Sequence, residues 1–193
     1  LPYVEGRLRK ARAHYLMGQL YAQIDAYPQA LEQFELVRKH SQDYNLTFSA
    51  KMKTARMYVR FQEGKDDDQE VYKYLTKLLK DEKNAEYLDQ IYYEFALLEL
   101  KKEDLPQAID YLQQSIRANR GNQRQKALSY YKVGKIYFDE YQDYDQAQAY
   151  YDSAASAITP QAPEYKEITN LAATLKEYIT HKRTIAFQDS MLY

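Results

Sequence analysis

The chain has 193 residues, no cysteine, and 27 Lys and Arg against 28 Asp and Glu, which gives a formal net charge of -1. This composition excludes disulfides, thiolate metal sites and cysteine nucleophiles, and the balanced charge offers no general attraction to nucleic acid. Glycine and proline number only five each, too few for the many turns of a β-sandwich, and no apolar run is long enough to cross a membrane. An all-α protein is therefore predicted.

A small residue recurs along the chain every 37 to 41 residues and marks the first helix of each predicted segment. These residues are Gly18, Ala55, Ala96, Gly134 and Ala172. A second helix follows the first four, with small or apolar residues at Ala30/Phe34/Val37, Val71/Leu75/Leu78, Ala108/Leu112/Ser115 and Ala147/Tyr151/Ala154. Steps of three and four residues place each set on one helix face. Each segment is thus predicted to be a pair of amphipathic helices that stacks on its neighbours.

Two glycines, Gly18 and Gly134, interrupt strongly helix-forming segments, where glycine costs about 1 kcal/mol relative to alanine. We interpret them as points where the two helices of one hairpin cross, because a side chain there would hold the backbones apart. The paired helices are joined by the short connectors IDAYP, EGKDDDQE, KKEDLP and EYQDYD. Within three connectors, Asp67, Asp104 and Asp143 are predicted to begin the second helix.

The repeats predict one domain over residues 1–193, with helix pairs at about 3–42, 46–82, 85–120 and 123–160 and a terminal helix at 164–193. The terminal helix repeats the first-helix pattern without a second helix after it, so we expect it to cap the fourth pair. The sequence begins with LPYVEGRLRK, inside a predicted helix and without Met. We therefore expect it to be an excerpt of a longer protein.

This pattern resembles the tetratricopeptide repeat (TPR) family, which has small residues at the helix crossings and an aromatic residue three positions after the first. The family's second helix carries Ala-x3-aromatic. The segments around Gly18 and Gly134 match well, whereas the one around Ala55 has Lys51 and Thr54 where bulky apolar residues are usual. The resemblance covers nearly the whole chain and implies a right-handed α-solenoid of antiparallel helix hairpins.

The TPR resemblance also implies a concave groove that binds a partner. The residues at the family's groove positions and their edges are Arg12, Tyr15, Gln19, Met52, Arg56, Tyr93, Leu97, Tyr131 and Lys135. Aromatic, Met and Arg side chains are enriched in interface cores. The alternative is that these side chains pack against neighbouring helices of the chain itself.

The sequence contains no pattern that indicates catalysis. His14, His40 and His181 have no second ligand at metal-like spacing, and His14 is expected to pack inside the first hairpin. The acidic stretch DDDQE at residues 66–70 lacks the spacing and glycine of a calcium loop, so a solvated connector is expected. No nucleophile elbow, phosphate-binding loop or dinucleotide motif is present. We predict no enzyme activity, no cofactor and no metal.

The predicted function is a non-catalytic scaffold that binds a protein or peptide partner. Two alternatives stay open: a glycan-binding module of a surface lipoprotein, and a regulatory TPR domain of a larger enzyme. Sugar-stacking platforms favour Trp, and the chain has none. The sequence does not specify an oligomeric state.

The C-terminal segment EYITHKRTIAFQDSMLY gives a narrower resemblance. Together with the Tyr-rich repeats that lack Cys and Trp, it resembles the repeat region of the gliding-motility and type IX secretion lipoproteins of Bacteroidota. This resemblance implies a periplasmic location, an outer-membrane anchor in the full-length protein, and partners in the secretion machinery.

Overall fold

The computed structural model describes residues 6–61 and 65–191, with the backbone alone at residues 60 and 65–68, and all regular secondary structure in these ranges is helical. The α-helices are α1 (Arg7–Gln23), α2 (Tyr27–His40), α3 (Tyr44–Phe61), α4 (Lys65–Lys80), α5 (Leu88–Lys101), α6 (Leu105–Ala118), α7 (Gln123–Asp139), α8 (Tyr144–Ala157) and α9 (Tyr165–Ser190). A short 3-10 helix spans Glu82–Asn84. The predicted all-α fold class is confirmed.

The chain forms two compact units, unit 1 at Leu1–Asp81 and unit 2 at Glu82–Tyr193. In unit 1, each of the helices α1 to α4 packs on the next, and α1 also contacts α3. In unit 2, the helices α5 to α9 pack in the same sequential manner, with an added contact between α5 and α7. Each unit is therefore a stack of TPR-like helix hairpins, the packing of an α-solenoid. A single domain over the whole chain stays a prediction.

Gly18 in α1 and Gly134 in α7 lie against an aromatic ring of the second helix of their hairpin. A β-carbon on Gly18 would stand 2.7 Å from Cε1 of Phe34, and one on Gly134 would stand 2.7 Å from Cδ1 of Tyr151. The Gly134 β-carbon would also lie 3.3 Å from the carbonyl oxygen of Ala147. Close approach at these positions is confirmed, and a buried ring comes nearest in both hairpins.

His14 is buried inside the first hairpin, as expected. Its Nδ1 lies 2.7 Å from Oε1 of Gln33 on α2, and its ring stacks on His40 with 5.4 Å between centroids. Both contacts hold the His14 ring against α2. A packing role is the simplest explanation of His14.

Two of the three predicted helix starts are confirmed. Asp104 accepts a hydrogen bond from the backbone N–H of Gln107 at 3.1 Å, and Asp143 accepts one from Gln146 at 3.0 Å. The prediction for Asp67 is wrong, because α4 already begins at Lys65. The stretch at residues 66–70 therefore belongs to α4 and not to a connector. Acidic residues suit a first helical turn because the helix dipole is positive there.

Candidate partner-binding site

In unit 1, the predicted groove residues lie on α1 and α3: Arg12, Tyr15, Gln19, Met52 and Arg56. Burial raises the pKa of Tyr15 above its ordinary value, while a hydrogen bond with Ser49 and the charge of Arg56 partly oppose the rise. Tyr15 and Arg56 are thus brought together. Met52 is only 7% exposed and offers almost no surface to a partner. Arg12 is exposed, and Gln19 is half-buried.

In unit 2, the predicted groove residues are Tyr93, Leu97, Tyr131 and Lys135. Tyr93 is 7% exposed and belongs to a core cluster with Ala96, Leu112 and Val133. Leu97 is half-buried against that cluster. Tyr93 and Leu97 therefore pack against the chain's own helices, as the alternative interpretation expected.

Tyr131 and Lys135 on α7 also have partners within unit 2. The hydroxyl of Tyr131 donates to Oε1 of Glu167 on α9 at 2.7 Å. Burial, and then the Glu167 carboxylate, raise the pKa of Tyr131 well above its usual range. Lys135 is exposed, with its Nζ 2.6 Å from Oδ2 of Asp139. A role in partner binding stays a prediction for all nine groove residues.

A cleft of about 930 Å³ opens in unit 1 between α2, α3 and α4. Its lining residues are Arg38, Lys51, Tyr72, Lys73, Tyr74, Thr76, Lys77, Leu78, Lys80 and Asp81. Five of the ten are basic and one is acidic, so we call this the basic cleft. None of the predicted groove residues lines it.

The basic cleft concentrates positive charge on one face of α4. Lys73, Lys77 and Lys80 follow one another at steps of four and three residues, and none forms an ion pair with another residue in the described part of the chain. This spacing places them on one helix face. It was visible in the sequence, but α4 lies in the segment that departs most from the repeat pattern.

Arg38 and Tyr74 also line the basic cleft. Nη1 of Arg38, on α2, lies 2.7 Å from Oε2 of Glu35. The Tyr74 hydroxyl donates to the carbonyl oxygen of Lys51 at 3.4 Å, and burial raises the pKa of Tyr74 to about 12 despite the nearby Arg38 charge. Tyr74 therefore adds no negative charge to the cleft at physiological pH.

A second cleft, of about 580 Å³, lies in unit 2 and includes Lys135. Its lining residues are Leu100, Glu103, Leu105, Lys132, Lys135, Ile136, Asp139 and Glu140. Three acidic residues face two basic ones, so this cleft has no strong preference for one sign of charge. The basic cleft is the better candidate for selective binding.

Among the described residues, no group of three or more His, Cys, Asp or Glu is arranged to hold a metal ion. No helix within the described ranges combines the length and apolar character needed to cross a membrane.

The chain is similar to solved structures but matches no family model. No protein-family model matches the chain, and no curated protein matches it. Among solved structures, the crystal structure of MamA protein is similar at 19% sequence identity and a TM-score of 0.49, over 89% of this chain and 88% of that chain. The TPR-like, all-α class therefore rests on the helix hairpins of this chain.

Proposed function

We propose that this protein is a non-catalytic scaffold that binds protein partners, and that the basic cleft binds an acidic segment of such a partner. The observation that supports this is the set of five cations around a cleft of about 930 Å³ with a single carboxylate, Asp81. Clefts of this size accommodate ligands, and charge-assisted hydrogen bonds from Lys and Arg to carboxylates are stronger than neutral ones.

The tyrosines of the basic cleft favour a peptide over a simple anion. Tyr72 is 39% exposed, and Tyr74 also lines the cleft. Aromatic rings of this kind provide apolar contact area next to a polar group. An acidic segment with interspersed apolar residues uses both features. Duplex nucleic acid needs a longer basic path, because its binding usually involves many phosphate contacts.

We further propose that the partners belong to a type IX secretion or gliding machinery, and that the full-length protein is periplasmic and anchored to the outer membrane. The support for this role is the resemblance of the C-terminal segment alone. Crosslinking in the native host followed by mass spectrometry tests it, and recovery of partners unrelated to secretion would contradict it.

The basic cleft is tested with a labelled peptide of Glu, Asp, Leu and Tyr residues and fluorescence anisotropy. Lys73→Glu with Lys77→Glu is expected to weaken binding by about tenfold or more, which is about 1.4 kcal/mol. Binding of the wild-type protein should also weaken as salt concentration rises.

The matched control is Lys126→Glu with Lys166→Glu, which makes the same change of charge in unit 2. This control should bind the peptide as the wild type does. Equal losses in the two double variants would show a non-specific charge effect. Tighter binding of an oligonucleotide than of the peptide would point to a different class of partner.

A further inference from the structure

The outer face of α1 exposes aliphatic side chains that a soluble helix normally covers. Leu16 is 60% exposed, Leu20 is 61% exposed, and Ile24, at the end of the helix, is 72% exposed. At about 100° per residue these three side chains lie within one sector of the helix, in line with Arg9. We call this sector the α1 face.

The positions on α3 and α7 that correspond to Leu20 are buried. Aligned on the small residues Gly18, Ala55 and Gly134, Leu20 corresponds to Met57 on α3 and to Ile136 on α7. Met57 is 5% exposed and Ile136 is 4% exposed. The part of the α1 face around Leu20 thus corresponds to surface that a neighbouring helix covers on α3 within unit 1 and on α7 within unit 2.

The element that covers these positions within each unit is the second helix of the preceding hairpin. Met57 shares a core cluster with Ala30 and Phe34 of α2. Ile136 shares one with Ala108 and Leu112 of α6. An amphipathic helix with small and large apolar residues at steps of four therefore fits the α1 face.

The positive charge of α1 adds a second requirement for a helix that binds the α1 face. The N-terminal half of α1 contains Arg7, Arg9, Lys10 and Arg12, and α1 contains no acidic residue. None of the four forms an ion pair with a residue that the structure describes. A helix that packs as α2 does on α3 runs antiparallel and brings its C-terminal end to this region. That end carries the negative pole of the helix dipole, and acidic residues there would pair with the cations.

We infer that the α1 face binds an amphipathic helix of a protein partner, aliphatic on one face and acidic towards its C-terminal end. This inference rests on the proposed scaffold role but uses a surface separate from the basic cleft. The chain's own α2 is a poor occupant, because Arg38, Lys39 and His40 form its last turn. The last turns of α4 and α6 are also basic. A membrane surface fits less well, because interfacial helices present a broad apolar face.

The test uses a synthetic helical peptide of about 20 residues, long enough to be stabilised as a helix. Its apolar face follows the Ala-x3-Phe-x2-Val spacing of α2, and its last two turns contain Glu. A second peptide has Lys in place of each Glu. Peptide binding is measured by fluorescence anisotropy with a variant of residues 1–193 that contains Lys73→Glu and Lys77→Glu. These two changes prevent the basic cleft from binding the acidic peptide.

In this background the Glu peptide is expected to bind, and the added change Leu20→Glu should weaken its binding by about tenfold or more. Ile185→Glu is the matched control, because Ile185 is 58% exposed on α9 and far along the chain from α1. It should leave binding unchanged. Arg9→Glu with Arg12→Glu should reverse the preference, so that the Lys peptide binds better than the Glu peptide.

Equal binding with and without Leu20→Glu overturns the inference, and so does an unchanged peptide preference after the two arginine substitutions. Leu20-dependent binding to phosphatidylglycerol vesicles without peptide binding would assign the face to a membrane. Leu20-dependent self-association in sedimentation would assign it to a second copy. If these α1 effects are absent while the wild-type basic cleft still binds its own acidic peptide, only this inference fails. If the α1 effects are present while the wild-type protein does not bind the peptide designed for the basic cleft, only the cleft proposal fails.

Discussion

At the helix crossings, the small residue of the first helix is matched in size to the residue at the corresponding repeat position of the second helix. The corresponding pairs in the four hairpins are Gly18 with Phe34, Ala55 with Leu75, Ala96 with Leu112, and Gly134 with Tyr151. An aromatic ring occurs with glycine, and leucine occurs with alanine. Protein cores are packed as densely as organic crystals, so a larger side chain on one helix requires a smaller one on the other.

Gly134→Ala is expected to destabilise the protein by about 1 kcal/mol. The new β-carbon would overpack against Tyr151 at a cost of about 1–3 kcal/mol, and the gain in helix propensity of about 1 kcal/mol offsets only part of this. Gly134→Leu should cost roughly 2 kcal/mol or more. Urea denaturation measures both effects.

The double variant Gly134→Ala with Tyr151→Leu recreates the Ala96 and Leu112 pair of the third hairpin. It should be more stable than the sum of the two single effects predicts, with a coupling of about 0.5 kcal/mol or more. Ala149→Leu on the exposed face of α8 serves as a control for added volume. Strictly additive effects would show that size matching does not operate at this crossing.

The repeat register predicted which helix face a residue occupies, but not how closely the neighbouring helix covers it. Gly18 and Gly134 were correctly placed at close contacts because glycine inside a helix needs a reason. Met52 and Tyr93 were placed on the groove face, yet both are only 7% exposed. Burial depends on the size of side chains on other helices, and a single repeat unit does not contain that information.

The basic cleft could be only partly predicted for a similar reason. The spacing of Lys73, Lys77 and Lys80 defines one face of α4 from the sequence alone. Arg38 and Lys51 come from α2 and α3, and only the packing of three helices brings them to the same cleft.

At the scale of the element, α9 has a packed half and an exposed half. Ile168, Ala172, Leu175 and Ile179 are buried at steps of four, three and four residues. Their clusters include Ala147, Tyr151 and Ala154 of α8. From Thr180 to Met191 every residue is exposed. The cap that the sequence predicts thus corresponds to the first half of α9.

Truncation after Pro163 is expected to lower the free energy of unfolding by on the order of 5 kcal/mol. It removes the four buried residues of α9, and the burial of each large apolar side chain contributes roughly 1.5–3 kcal/mol. The hydrogen bonds of Glu164 to Arg124 and of Glu167 to Tyr131 are lost as well. Chemical denaturation and binding of a hydrophobic dye measure the loss and the newly exposed surface.

Truncation after Ile179 is the matched control for the role of α9. The residues from Thr180 to Met191 that it removes are all exposed. It also removes two exposed ionic contacts, Arg183 with Asp145 and His181 with Glu177, and exposed pairs of this kind contribute about 0–1 kcal/mol. Its stability should be close to that of the full chain. Similar losses from both truncations would mean that the exposed half of α9 also supports the fold.

At the scale of the whole molecule, the near-neutral net charge conceals a difference between the two units. Residues 1–81 contain 14 Lys and Arg against 11 Asp and Glu, whereas residues 82–193 contain 13 against 17. The basic cleft and the α1 face both belong to the more basic unit. We expect an acidic partner to be attracted to unit 1 first, and its association rate should fall with added salt.

A subset of the 22 tyrosines links the stability of the protein to alkaline pH. Burial raises the pKa of Tyr74 in unit 1 and of Tyr151 in unit 2 from 10.0 to about 12. Burial is also the main cause of the raised pKa values of Tyr15, Tyr131 and Tyr137. Unfolding returns these groups to ordinary values, so between pH 10 and pH 12 the unfolded chain binds fewer protons than the folded one.

The stabilising contribution of these tyrosines is therefore fully present below pH 10 and is lost as the pH rises through about 12. We expect a subset of phenolate absorbance to appear together with the loss of helical circular dichroism in this range. Tyr151→Phe keeps the ring against Gly134 but removes the ionisable hydroxyl, so its helix loss should move to higher pH while its neutral-pH stability changes little. If all tyrosines ionise before any helix is lost, burial of these hydroxyls does not control alkaline unfolding.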